Sequence, residues 1–280
     1  MRYEIRRRED GRVAIFDENE NQISPEWFDW ISFNGLIKGQ SGYYIAEKDG
    51  RMAIFDKDGK MITPEWFDSL WIDGLVKGES EYYRAEKDRR YAIFHKDGKR
   101  ISGWHEYVSL YGLVSGESNL YIAGDNGKVA IFDVNVGRIS QWFDSIFPSG
   151  LVRGQSNYYK AMKDWKHAIF DKDGNRITDW YDFIYSSGLV NGECDYYIAC
   201  KDKTCAVYYK DGRKVSNDFP KIENAKKITF NDNSGIVEIV VFKENFGTIE
   251  EDDERIITIE FKPVYPYKEE VIDHTRLLNI

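Results

Sequence analysis

Residues 50–68 read "GRMAIFDKDGKMITPEWFD", and within them Asp56-Lys57-Asp58-Gly59 has the look of a calcium loop. An EF-hand loop needs oxygens at positions 1, 3 and 5, a glycine at 6 and a bidentate Glu at 12. Here the glycine follows the second Asp directly, and the twelfth position from Asp56 is Phe67. A polar turn closed by a glycine with positive φ, its Asp bonding local amides, accounts for the same residues without a metal.

Other parts of the chain decide between the two readings. The Ala-Ile-Phe core recurs as Ala14-Ile15-Phe16, Ala53-Ile54-Phe55, Ala92-Ile93-Phe94, Ala130-Ile131-Phe132, Ala168-Ile169-Phe170 and, altered, Ala206-Val207-Tyr208. The alanines are 39, 39, 38, 38 and 38 residues apart. The places of Asp56 and Asp58 are taken elsewhere by Asp17/Asn19, His95/Asp97, Asp133/Asn135, Asp171/Asp173 and Tyr209/Asp211. His and Tyr can replace the first Asp, so a turn is expected, with no metal and no cofactor.

Two more markers keep step. One is Gly-Leu-Val or Gly-Leu-Ile at Gly35, Gly74, Gly112, Gly150 and Gly188; the other is a Trp at Trp27, Trp66, Trp104, Trp142 and Trp180. Three markers in phase are the signature of a repeat architecture. Between them the pattern has a period of two, as in "EYYRAEK", with Gly, Asp, Asn and Ser in the gaps. The expected fold is all-β: tandem four-stranded antiparallel units of about 38 residues, the size of a propeller blade. Each Gly-Leu-Val is read as the first strand of its unit. The Ala kept in all six units points to close approach of neighbouring sheets.

Residues 1–220 therefore hold six units, with boundaries near 35, 74, 112, 150 and 188, and 221–280 form a C-terminal β extension or cap. A six-bladed β-propeller is preferred, the alternative being an open β-solenoid or arc. The first unit lacks a Gly-Leu-Val segment, and a strand at Lys227–Asn231 could complete it and close the ring. Within the extension, Glu250–Glu254 is an acidic run, and "KEEVIDHTRLLNI" could form a short terminal helix.

The unit "GLVKGES…EKDGRMAIFDKDGKMITPEWFDSL" is similar to the bacterial WG (KWG) β-repeats, with Met52-Ala53, Tyr91-Ala92, Val129-Ala130 and His167-Ala168 where that family has Trp-Gly. The resemblance covers residues 3–220. It implies a divergent relative, a repeat scaffold that mediates binding, with no catalytic residues to carry over.

Charge narrows the partners. The 280 residues carry a net charge of −9, which argues against a general binder of nucleic acid or anionic membrane. No window approaches the length of an apolar membrane span, and "MRYEIRRRED" has no apolar stretch behind it to make a signal peptide. Cys194, Cys200 and Cys205 fit neither a zinc-ribbon spacing nor a secreted disulfide framework, so reduced thiols in a cytoplasm are expected. His95, His105, His167 and His274 are the four histidines, and there is no nucleophile elbow, phosphate loop or HExxH pattern, so no enzyme is expected.

Binding sites are sought where units differ, because packing holds the framework positions alike. Just before the Gly-Leu-Val segment stand Trp71, Phe147 and Tyr185, and at a hairpin tip stands Trp165. With Gly-Leu-Val as the first strand, the two loops emerge on one face, an aromatic surface for another protein. The alternative is a multivalent glycan-binding propeller that uses Trp27, Trp66, Trp104, Trp142 and Trp180 as stacking platforms.

Overall fold

The computed structural model describes residues 2–223, 225–242 and 254–264. Every regular element among them is a strand, so no helix there could cross a membrane. The strands form seven consecutive antiparallel sheets, a blade arrangement consistent with a β-propeller. Sheet 1 is Glu4–Arg7 and Val13–Phe16; sheet 2 is Trp30–Ile31, Tyr43–Lys48 and Arg51–Asp56. Sheet 3 is Ser69–Leu70, Tyr82–Lys87 and Arg90–His95, and sheet 4 is Tyr107–Val108, Leu120–Asp125, Lys128–Asp133 and Gly137–Arg138. Sheet 5 is Ser145–Ile146, Tyr158–Lys163 and Lys166–Asp171, and sheet 6 is Phe183–Ile184, Tyr196–Lys201, Thr204–Tyr209 and Phe219–Pro220. A C-terminal sheet, Ala225–Asn231, Ile236–Phe242 and Glu254–Glu260, follows.

A fourth strand position is present in the three-stranded sheets as paired bridges. In sheet 2, Met61 bridges Phe55 and Phe67 bridges Met52; the chain then enters sheet 3 at Ser69–Leu70. One segment thus edges two successive sheets. At its bend a hydroxyl satisfies a backbone amide: Ser24, Ser102, Ser140, Thr178 and Ser216 accept from Ile15, Ile93, Ile131, Ile169 and Val207.

The opening stretch folds as a strand and a turn. Asp56 Oδ1 accepts from the amides of Asp58 and Lys60 at 3.0 and 2.9 Å, and Gly59 has φ +77°. These bonds hold the carboxylate on the backbone of its own turn.

Cores lie between neighbouring sheets, and this explains the alanines. Ile45 and Ile54 on one face of sheet 2, with Phe67 from that sheet's edge segment, pack with Tyr83, Ala85, Ala92 and Phe94 on the facing side of sheet 3. Ile122 and Ile131 of sheet 4 meet Tyr159, Ala161, Ala168 and Phe170 of sheet 5 in the same way. The small residue leaves room for the isoleucines of the preceding sheet.

The ends differ from the interior. Sheet 1 has Glu4 and Arg6 where sheet 2 has Tyr44 and Ala46, and Arg6 lies over the Phe16 ring at 4.6 Å. At the other end, Ile228, Val237, Ile239 and Phe261 of the C-terminal region cover Ile198 and Val207 of sheet 6.

Three expectations are corrected. The Lys227–Asn231 segment does not complete the first unit: it lies within Ala225–Asn231, whose partner is Ile236–Phe242. Among the described residues, strand pairing does not join the two ends of the array. Gly-Leu-Val is not a strand either. In "DGLVKGES" the Lys77, Gly78 and Glu79 amides bond Ile72, Leu75 and Gly74 carbonyls, closing a turn that carries Leu75 and Val76 into the core. The unit's first strand is the dipeptide before it.

The third correction concerns the thiols. Cys200 and Cys205 stand directly opposite across a two-residue tip, with Cα atoms 4.0 Å apart, and form a disulfide. The thiols of this pair are therefore not free. Cys194 remains a thiol, pushed up to about 12 chiefly by burial. The acidic run up to Asp253 and the terminal helix lie outside the described residues.

Candidate binding surface

Moving the first strand ahead of Gly-Leu-Val changes which loops share an edge. The connection Trp71–Glu81 leaves the first strand and enters Tyr82–Lys87 at its start, whereas the hairpin tip Asp88-Arg89 follows that strand's end. These loops lie at opposite ends of the sheet. Trp165 is therefore not brought together with Trp71, Phe147 and Tyr185.

Those three are half-buried, each with an internal partner. The Arg84 guanidinium carbon sits 3.8 Å from the Trp71 ring centroid, and Lys160 Nζ sits 3.9 Å from that of Phe147. Tyr185 donates its hydroxyl to the Ile222 carbonyl at 2.6 Å.

The two cations occupy one repeat position. Sheets 2 to 6 place Ile45, Arg84, Ile122, Lys160 and Ile198 there. Each cation reaches forward to the next sheet: Arg84 Nη1 donates to Val108 O at 2.6 Å and Lys160 Nζ to Ile184 O at 2.9 Å. Burial lowers both pKa values, bringing Lys160 to about 8. Beside Lys160, burial first and then the lysine's charge push His167 down to about 4.

Lys160 is 3% exposed. A buried cation without a counter-charge is costly. Replacing Lys160 by Ile, the residue of three equivalent positions, should stabilise the fold by about 1 kcal/mol or more. A urea titration checks this. Because the unfolded lysine holds its proton up to pH 10.5 and the folded one only to about 8, this residue's penalty is relieved as pH rises between those values. That rise should vanish in the variant.

The repeated Trp residues rest against the Phe rings of their own units: Phe16–Trp27, Phe55–Trp66, Phe94–Trp104, Phe132–Trp142 and Phe170–Trp180 have centroids 5.9–6.2 Å apart. Arg8, Arg100, Arg138 and Arg176 lie 5.2–6.0 Å from the rings of Trp27, Trp104, Trp142 and Trp180. The acid after each Trp has a backbone task. Asp29, Asp68, Glu106, Asp144 and Asp182 accept the first tip amide of the hairpin at 2.7–2.8 Å. Of the histidines, His105 is bonded through Nδ1 to Asp125 at 2.7 Å, and His95 lies 3.2 Å from Glu81.

Trp165 is different. It is 84% exposed and has φ +62°, the second of two left-handed residues in a two-residue tip. Gly50 and Gly127 occupy that place in two other sheets with φ of +72° and +70°. At the tip end of the first strands, Trp30 opposite Glu47 and Tyr107 opposite Gly124 are 43% and 47% exposed. Sequence reasoning passed over these two, although Trp30, Ser69, Tyr107, Ser145 and Phe183 differ at one repeat position.

No protein-family model and no curated protein matches the sequence. Solved structures similar to this chain include Kluyveromyces lactis Hsv2, 10% identical over 90% of this chain and 92% of that one, with a TM-score of 0.33. The Myceliophteria thermophila Cps50 (Swd1) β-propeller domain is 13% identical over 93% and 96%, with a TM-score of 0.33. The C-terminal WD40 domain of Sif2 is 10% identical over 93% and 78%, with a TM-score of 0.34.

Proposed function

We propose that this chain is a non-enzymatic scaffold of WG-like β-repeats that binds another protein along the hairpin-tip edge of its sheets. Trp165 carries the reading. A left-handed backbone costs a non-glycine residue about 1–2 kcal/mol, and an indole 84% exposed recovers none of that by packing. Arg89 and Lys203 hold the same tip place at φ +60° and +65°, so what sets Trp165 apart is the exposed indole rather than the backbone strain. Trp30 and Tyr107, exposed toward the same edge, extend an aromatic strip of the composition that interface cores favour. The repeated Trp residues of the glycan reading already rest against internal Phe rings, and four of them also have an Arg over the ring.

Trp165→Gly supplies the test. The fold should be as stable as the parent or slightly more so, since glycine suits this φ. Binding to a partner co-purified from the native host should weaken by about 1–3 kcal/mol, the cost of a central aromatic. An unchanged affinity in calorimetry with the purified partner removes Trp165, and with it the tip-edge surface.

A further inference from the structure

The position that holds Trp71, Phe147 and Tyr185 holds Ser109 at the corresponding place in sheet 4. In sheet 6 Tyr185 lies against the C-terminal region with its hydroxyl on the Ile222 carbonyl, whereas Ser109 puts only a short hydroxyl side chain at this place. Ser109 is in the wall of a cavity of about 410 Å³, lined also by residues of sheets 3 and 4 and their connections, among them Arg84, Tyr107, Tyr111, Asp73 and Glu79. Its size is that of a small-ligand site.

The charges in this lining are unequally matched. Asp73 is held by Lys77 at 2.5 Å, and Glu79 accepts the Gly74 amide at 2.9 Å. Arg84 has no carboxylate within ion-pair distance among the described residues, and its one bond is to the Val108 carbonyl. Its Nε is buried without a hydrogen-bond partner. Stacking on Trp71 at 3.8 Å fixes the guanidinium over the ring. With Nη1 on the Val108 carbonyl and Nε buried, the Nη end of the guanidinium is what remains for an acceptor, and a carboxylate is the planar acceptor that matches it. The neighbouring Asp73 and Glu79 disfavour a doubly charged phosphate, while Tyr107 and Tyr111, 47% and 45% exposed, offer ring surface for an apolar body.

We propose that this cavity binds a carboxylate attached to an aromatic or apolar group, with Arg84 receiving the carboxylate and Tyr107 and Tyr111 flanking the apolar part. The carboxylate can belong to a small free acid or to the C-terminus of a peptide. The site shares Tyr107 with the tip-edge surface but rests on Arg84 and the cavity rather than on Trp165, so either can fail without the other.

Benzoate, N-acetyltyrosine, N-acetyltyrosine amide and a tripeptide ending in tyrosine with a free carboxylate are the probes, followed by Trp fluorescence and calorimetry on the full chain. The acids should bind saturably and the amide should not. Two variants use residues that other units already place at these positions, so the fold tolerates them: Arg84→Ile, as at Ile45 and Ile122, removes the charge, and Ser109→Tyr, the residue of Tyr185, adds bulk to the cavity wall. Each should weaken acid binding about tenfold or more, a loss suited to a charge-assisted bidentate pair, with the melting temperature retained. Tighter binding of the tripeptide than of N-acetyltyrosine identifies a chain end, and benzoate binding as tightly as either identifies a free acid. The proposal is overturned if no acid binds at millimolar concentration, if the amide binds as well as the acid, or if both variants bind like the parent.

Discussion

Replacing Phe67 by Ala should destabilise the protein by about 3–5 kcal/mol, the cost of a cavity left by a fully buried aromatic ring. Phe67 has no exposed surface and packs with Ile45 and Ile54 of one sheet and Tyr83, Ala85 and Ala92 of the next. Its ring lies 5.2 Å from Phe94 and 6.3 Å from Trp104. Its backbone is also tied to sheet 2, exchanging both amide bonds with Met52 at 2.8 and 2.9 Å. The neighbours that would need to collapse into the hole belong to two hydrogen-bonded sheets, so relaxation can recover little. Urea unfolding followed by far-UV circular dichroism measures the loss. A change below about 1 kcal/mol would mean that the ring is not enclosed between the sheets as described.

Gly112→Ala should cost about 2–5 kcal/mol, combining left-handed strain with overpacking. Gly112 has φ +80°, and a Cβ there would stand 2.2 Å from the Leu120 carbonyl oxygen and 2.9 Å from that of Val152. Those oxygens cannot swing away as a flexible side chain could. Leu120 O accepts the Leu113 amide at 2.7 Å, and Val152 O accepts the Ser118 hydroxyl at 2.5 Å. The second bond belongs to a series: Ser41, Ser80 and Ser156 reach Val76, Val114 and Val190 at 2.6 Å, linking each turn to the next. Gly127→Ala is the control. Its φ is +70°, but nothing lies within 4 Å of the added Cβ, so strain alone should cost about 1–2 kcal/mol. Equal losses for the two glycines, by chemical denaturation, would show that the turns do not stack closely.

These residues show how far the sequence could be read. Phe67 sits in a repeated Trp-Phe-Asp or related triplet, and the Ala-Ile-Phe spacing alone established an all-β repeat and the place of each hairpin. The turn at Asp56 was legible because its copies could be compared. Gly-Leu-Val was misread because a short apolar run after a glycine suits a strand and a buried turn equally. Its second glycine, four residues on, has positive φ, as at Gly78 with +74°, and closes the turn. That error moved the first strand by a few residues and placed Trp71 at the tip edge beside Trp165.

Trp165 was visible as a candidate because it breaks a polar tip pattern locally. The Arg84 cavity was not, because it needs Arg84, Ser109 and Trp71 together, residues on two sheets that no local period relates.

Repetition in the sequence by itself determined the strand periodicity and the hairpin turns, since these rest on contacts within one hairpin. Only the tertiary structure decided which edge each aromatic occupies, that the C-terminal sheet covers the sixth unit, that Cys200 meets Cys205, and that a cavity lies beside a guanidinium with no carboxylate partner among the described residues. Those outcomes depend on what one sheet's side chains meet on the next, and small residues there leave space whose value is set by charges brought from elsewhere in the chain.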